Sequence, residues 1–438
     1  MKFRGLLAAV AVLAILGGVL YWSGHHKPAP SAASLAKTIV NIKPADIASM
    51  TLKEKGAAPI TLSQPSSGNW TITAPANYSA DQNTVTEMAS NLQPLKAQRV
   101  VEQDVSDLSE YGLTDPVFEI DIATQKNGVD QILFGGKTPT GDNDYVLKKG
   151  DPELYTVNDS VLTELNQSLV SLRDRRLIPV KASAVQHIAL IHNHQTVTFE
   201  RTSGGWQMKK PQPYRTDIFQ VDDLLQQVVG AKWGATDNSK KDAALFAHGS
   251  PFATVKLSGN FGTDSLEVRN ADGHYYAKSS AISSIWKIKP ALVAALDRSP
   301  NNFRNRQILN IGYANPSSIQ YHSAAVSFNL TRSNHHWYSN GRKMDGSSVA
   351  SFVSAVRDLS ASRFVTSGFT KPGISLTVSV PGKPAETVRF QKSNGGAIAR
   401  RAGGPSLYYL DSTTMNELYS AAKGIKPAAS GKNNEKKK

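Results

Sequence analysis

The chain has 438 residues, 40% of them hydrophobic and 19% charged, with a net charge of +14 and no cysteine. Its length suits two to four globular domains. Without cysteine there can be no disulfide, no thiolate metal site and no lipidated-cysteine anchor. The charge is uneven, because residues 40–178 hold 19 Asp/Glu against 12 Lys/Arg whereas residues 179–310 and 311–425 are basic. Such a distribution serves solubility, or docks modules onto one another or onto an anionic partner.

Residues 5–22 (GLLAAVAVLAILGGVLYW) are apolar and uncharged, near the lower length limit for a bilayer-spanning helix. Lys2 and Arg4 precede the run and Tyr21 and Trp22 close it, as expected of a helix with a cytoplasmic N-terminus and interfacial aromatics. The run reads as an uncleaved single-pass transmembrane anchor at the inner membrane, with the body in the periplasm or extracytoplasmic space. The rival reading is a cleaved signal peptide, whose apolar region is usually about 7–15 residues long; a cut after Ala36 would lie far from the run. An extracytoplasmic body leaves no role for nucleic acid.

Trp70, Trp206 and Trp337 recur 136 and 131 residues apart. Two runs with apolar residues at spacing two precede each: Met50/Leu52 and Ile60/Leu62, Ile188/Leu190 and Val197/Phe199, Ile319/Tyr321 and Val326/Phe328. That period predicts half-buried strands. A turn follows (Ser66–Asn69, Ser203–Gly205, Ser333-Asn334), and the tryptophan opens the next strand. Without gaps, Val85, Val221 and Phe352 stand fifteen residues after the tryptophans, and Leu92, Val228 and Leu359 stand twenty-two after. These offsets predict one apolar helix face per module, with Asp81 and Asp217 as N-caps.

Each second half opens at Gly/Pro punctuation: Gly112 with Pro116, Gly249 with Pro251, Gly368 with Pro372. Four strand-like runs and a second helix follow. Two copies then share a junction, Leu172–Ile178 (LRDRRLI) and Phe303–Leu309 (FRNRQIL), which the third copy lacks. Its arginines, Arg173, Arg175, Arg304 and Arg306, can cap the preceding helix or bind an anionic partner.

The expected fold is α+β: three tandem repeats of a mostly antiparallel sheet with two helices each, after an N-terminal transmembrane helix. The expected segments are 1–39 (stub, anchor and linker), 40–178 (acidic module one), 179–310 (basic module two), 311–425 (basic module three) and 426–438 (disordered basic tail). Trp70, Trp206, Trp337, Val85, Val221, Phe352, Gly112, Pro116, Pro251 and Pro372 are read as structural anchors.

Asn69-Trp70-Thr71-Ile72-Thr73-Ala74-Pro75, Ala80-Asp81, Tyr111-Gly112-Leu113-Thr114-Asp115-Pro116, Gly135-Gly136 with Tyr145, and Leu172-Arg173-Asp174 together resemble the bacterial domain-of-unknown-function family 4340 (DUF4340). The resemblance covers module one well, module two in outline and module three weakly. It implies an N-terminal membrane segment, a large extracytoplasmic body and an accessory role beside ABC-type transporters of the gliding-motility kind. It supplies no catalytic residue.

The chain offers few motifs that carry chemistry. Gly135-Gly136-Lys137-Thr138 has Gln131 where a phosphate loop needs its first glycine. His192-Asn193-His194, with His335-His336 read as the corresponding turn of module three, falls short of the three or four converging ligands of a metal site. Asp104, Asp107 and Glu110 offer carboxylates for a glycan or peptide hydrolase but recur in neither other module. Ser420-Ala421-Ala422-Lys423 has the Ser-x-x-Lys spacing without its partner motifs. No catalytic residue, cofactor, metal or small-molecule substrate is expected. The reading is a non-catalytic scaffold or accessory subunit binding envelope proteins, in an ABC-type transporter or gliding-motility-like complex. The alternatives are a binder of anionic envelope polymer or lipid, and an envelope hydrolase.

Overall fold

A computed structural model describes residues 37–65, 68–126, 128–234, 239–282 and 285–429. Two compact units part between Arg175 and Arg176. In the first, nine strands form one antiparallel sheet in the order Tyr78–Ser79, Thr71–Ala74, Ile60–Ser63, Ile47–Glu54, Phe118–Thr124, Gly128–Lys137, Asn143–Lys148, Leu154–Asn158, Arg99–Glu102. The sequence therefore builds two wings of hairpins that meet where Met50 pairs with Ile122 and Leu52 with Ile120. Strand alternation puts Met50, Leu62, Ile72, Phe118, Ile120 and Ile122 on one fully buried face. The helix Gln82–Ser90 crosses between the wings, adding Val85, Met88 and Ala89 to that core. Thr38–Val40 and Leu95–Lys96 form a small separate sheet.

The second unit repeats this plan in two sheets. One runs Gly205–Lys210, Gln195–Thr202, Val185–His192, Ser250–Gly259, Gly262–Ala271, His274–Ser279, Ile285–Lys287. The other runs Arg342–Lys343, His336–Ser339, Ser327–Ser333, Ser318–His322, Ile374–Ser379, Glu386–Ser393, Gly396–Arg401, Leu407–Asp411, Arg363–Val365. The middle sheet has no counterpart of either outermost strand among the described residues; at its Ile285–Lys287 edge the helix Ser239–His248 packs instead.

The helices that link the wings start alike. Asp81, Asp217 and Asp345 are their N-caps, each accepting backbone N–H groups of the first turn. This corrects the gap-free register. The fourth residue after the cap is Val85, Val221 and Val349, all fully buried, so Phe352 matches Met88 and Leu224 instead. Copy three is three residues shorter between tryptophan and helix. A shift of three returns to nearly the same helix face, so the apolar pattern hides it.

After its last helix each copy turns back beside the residues ahead of its linking helix. Asp81 N–H donates to Leu172 O and Asp174 N–H to Ser79 O, both at 2.8 Å. Asp217 N–H donates to Phe303 O and Asn305 N–H to Arg215 O, again at 2.8 Å. The third copy does the same: Asp345 N–H donates to Lys426 O and Ala428 N–H to Lys343 O. Lys426-Pro427-Ala428, expected to begin a disordered tail, thus occupies the position of Leu172-Arg173-Asp174.

The fold-class expectation is corrected in other respects. Among the described residues the chain is mostly antiparallel, in four sheets, with eight helices and 21% helix. The helices number three, three and two across the copies rather than two each. The apolar run 5–22 and residues Ser66 and Ser67 lie outside the described residues, and no described helix is long and apolar enough to cross a membrane. The expected single-pass anchor, and the inner-membrane location with a periplasmic body that rested on it, thus have no spanning helix to carry them among the described residues.

Two motifs far apart in sequence meet in the first unit. Gly136 N–H donates to Tyr111 O at 2.8 Å, and Gly112 takes a positive φ of 67° beside it. A Cβ on Gly135 would lie 2.1 Å from Tyr111 O. Gly135→Ala should therefore cost about 1–3 kcal/mol, whereas Gly128→Ala, with open space around its Cβ, should stay within about 0.5 kcal/mol. Urea unfolding midpoints check both.

Candidate functional site

The junction between the second and third copies builds a polar cleft. It has a volume of about 410 Å³ and is lined by Asp217, Gln220, Asn302, Arg304, Asn305, Arg306, Gln307 and Ser360. The backbone sets its walls. Thr216 bridges Arg304 on one side and Gln307 bridges Ser360 on the other, while Ile308 N–H donates to Leu359 O and Ala361 N–H to Arg306 O. Arg215 donates to Gln307 O and Ile308 O, and Arg401 donates to Ile308 O at 2.6 Å. Arg401 also pairs with Glu386 at 2.9 Å.

Arg304 is only 7% exposed and has no ion pair among the described residues. Its guanidinium lies 3.8 Å from the Tyr214 ring centre and 3.6 Å from that of Phe364. The two aromatic faces stand where a carboxylate would be expected. Nη1 donates to Asn301 Oδ1 at 2.8 Å, and Nε has no hydrogen-bond partner among the described residues. Burial lowers its pKa from the ordinary arginine value, yet a guanidinium stays charged. Tyr214 precedes the linking helix of copy two and Phe364 follows that of copy three, so Arg304 staples the two copies. Arg306 is exposed at the cleft mouth. Next to the cleft residues Asp217 and Gln220, Phe219 is 85% exposed.

The equivalent arginine of the first unit, Arg173, lies 3.9 Å from the Tyr78 ring centre and is half-buried, as is Arg175. In copy three Pro427 takes that position. Arg173 and Arg304 thus stack on the aromatic residue ahead of the linking helix, a role that Tyr78 and Tyr214, three residues before their caps, could have signalled. Trp70 and Trp206 are buried at 3% exposure; Trp337 is half-buried. Gln82 accepts from Trp70 N–H and donates to its carbonyl, and Trp206 Nε1 donates to Asp222 at 2.8 Å. Pro116 is half-buried, while Pro251 and Pro372 are exposed.

The other candidates do not converge. Asp104, Asp107 and Glu110 are all exposed. Ser109 donates its hydroxyl and its N–H to Asp107, which holds that carboxyl below its usual range, the reverse of what a general acid needs. Tyr111 donates to Glu102 instead, and this bond pushes the phenol up to about 12. The histidines occupy different turns: Asn193-His194 closes the first hairpin of copy two and Asn334-His335 the second hairpin of copy three. His192 is buried, with Nδ1 2.9 Å from Phe252 O and Nε2 2.8 Å from Asp297 Oδ1. No group of three metal-ligating side chains occurs among the described residues.

The family model described as Domain of unknown function (DUF4340) matches residues 70–233 and again residues 206–373. These stretches cover well over half of the chain, which therefore belongs to the DUF4340 family. No match was found among curated proteins. Each stretch begins at a tryptophan, Trp70 or Trp206, and each contains one junction segment. The family has no assigned activity, and no catalytic family is identified in the chain.

Arg304→Lys should lower stability by about 1–2 kcal/mol, because an ammonium cannot stack between two rings. Arg306→Ala should change it by less than about 0.5 kcal/mol. Thermal unfolding of both variants checks the contrast. Glu102→Gln should return the Tyr111 phenol toward its ordinary value of 10.0, since it removes the carboxylate that favours the protonated form. Alkaline titration followed by ultraviolet absorbance reads this directly.

Proposed function

We propose that this chain is a non-catalytic protein-binding scaffold, an accessory subunit that docks an acidic partner protein at the junction cleft of its second unit. The observation that carries the reading is Phe219, a large aromatic held 85% exposed in the first turn of the helix Ile218–Val229, next to residues of a cleft whose mouth bears the exposed cation Arg306. Aromatic and arginine side chains supply much of the energy of protein interfaces, and a phenyl ring exposed to water gains from being covered. Copies one and three carry Asn83 and Ser347 two residues after the cap, so the patch belongs to the second copy alone. The resemblance to transporter-associated proteins makes an ABC-type transporter complex the first partner to test.

A second reading, binding of an anionic polymer or lipid, draws on the basic charge of residues 179–425. Salt separates the two, because screening removes purely electrostatic binding and leaves an aromatic anchor largely intact. The hydrolase reading gains no support from the exposed, turn-capping position of Asp107.

A photo-crosslinking residue at position 219 of the full chain should capture a defined protein, which is then purified. Phe219→Asp and Arg306→Glu should each weaken its binding at least about tenfold with unchanged unfolding midpoints. Equal affinity of both variants, or binding lost in moderate salt, would overturn the scaffold reading.

A further inference from the structure

The third copy contains a cleft of about 980 Å³ beneath its last helix, Ser412–Lys423. Register shows why it is open. Ile188 pairs with Phe199 and Leu257 as Ile319 pairs with Leu330 and Val378, which sets His192 opposite Ser323 in the comparison of copies. Leu190 pairs with Val255 as Tyr321 pairs with Leu376, which equates Phe252 with Gly373. Val268 pairs with Ala277 as Phe390 pairs with Ala399, which equates Tyr275 with Ala397.

In copy two, His192, Phe252 and Tyr275 interlock, with ring centres 4.8 and 4.7 Å apart. In copy three the same positions hold a hydroxymethyl, a hydrogen and a methyl group. Ser323 and Gly373 line the cleft, so space filled by His192 and Phe252 in one copy is open in its neighbour, and it is near the upper size of small-molecule pockets.

Its walls are chemically divided. Val326, Ile374, Phe390 and Met415 supply apolar surface. Lys392 and Lys423 are exposed on the lining and make no ion pair among the described residues, and no lining residue is acidic. Tyr321 and Tyr419 also line the cleft, and burial pushes both phenols above the usual tyrosine range, so both remain hydrogen-bond donors. Apolar walls with unneutralised cations and phenol donors fit one ligand class.

We infer that this cleft binds a small anionic amphiphile, an apolar chain with a carboxylate or phosphate head held by Lys392 and Lys423. The test titrates the purified full chain by calorimetry with dodecanoate, dodecyl phosphate and dodecyltrimethylammonium, each below its micelle concentration. One anion should bind saturably at one site per chain. The cation should bind at least about tenfold more weakly, and the tighter of the two anions identifies the head group.

Gly373→Phe restores the side chain of copy two at a position with ordinary φ and open space around its Cβ. It should abolish binding without lowering the unfolding midpoint. Lys392→Glu with Lys423→Glu should weaken anion binding at least about tenfold and remove the preference over the cation. No saturable binding to the native chain at about 1 mM ligand, undiminished binding by Gly373→Phe, or equal affinity for the cation would each overturn the proposal.

Discussion

One aspartate in each copy holds the architecture together. Asp81, Asp217 and Asp345 each cap a helix with the carboxylate and donate the backbone N–H to the returning chain, at Leu172, Phe303 and Lys426. A single residue thereby ties the start of the linking helix to the end of the copy. Without that return, the two wings of a sheet would be joined only by the central pair and the helix laid across it. The junction arginines add to the same point, with Arg173 on Tyr78 and Arg304 on Tyr214.

Much of this was legible in the sequence because it depends on apolar period. The central strands with Met50, Ile188 and Ile319, the buried helix positions Val85 and Val221, and the two junctions all follow from spacing. What was not legible depends on contacts that spacing does not encode. The three-residue deletion before Asp345 leaves the helix face intact. Lys426-Pro427-Ala428 shares no residue with the earlier junctions, because backbone hydrogen bonds alone put it there. The aromatic partners of Arg304, Tyr214 and Phe364, come from 90 residues upstream and 60 downstream, and no local pattern announces such a sandwich. His192 lies in a hairpin whose sequence gives no sign of burial; Phe252 and Asp297, far away in sequence, pack against it.

The copies keep their framework and differ in what fills it. Copy two closes one end of its sheet with His192, Phe252 and Tyr275, and its outer edge with a helix in place of a strand. Copy three keeps the edge strand Arg363–Val365 and leaves the corresponding end open. The filling of the sheet end changes only a few side chains, at positions whose backbone pairing is unaltered. Divergence of this kind costs the fold little, since the sheet hydrogen bonds do not depend on which side chain is present.

The starting points of the two family matches carry a consequence for how the chain can be divided. Each match opens within a wing and runs through the junction into the next linking helix, so the matched stretch is out of phase with the folded copy. A fragment cut at residues 70 and 233 would keep Phe118–Thr124 without Ile47–Glu54 and Val185–His192 without Ser250–Gly259. Both would be apolar strands with an open hydrogen-bonding edge, the template for aggregation. A stretch bounded as the family matches are bounded therefore lacks a strand partner at both of these places, whereas a cut from one returning segment to the next keeps each central pair whole.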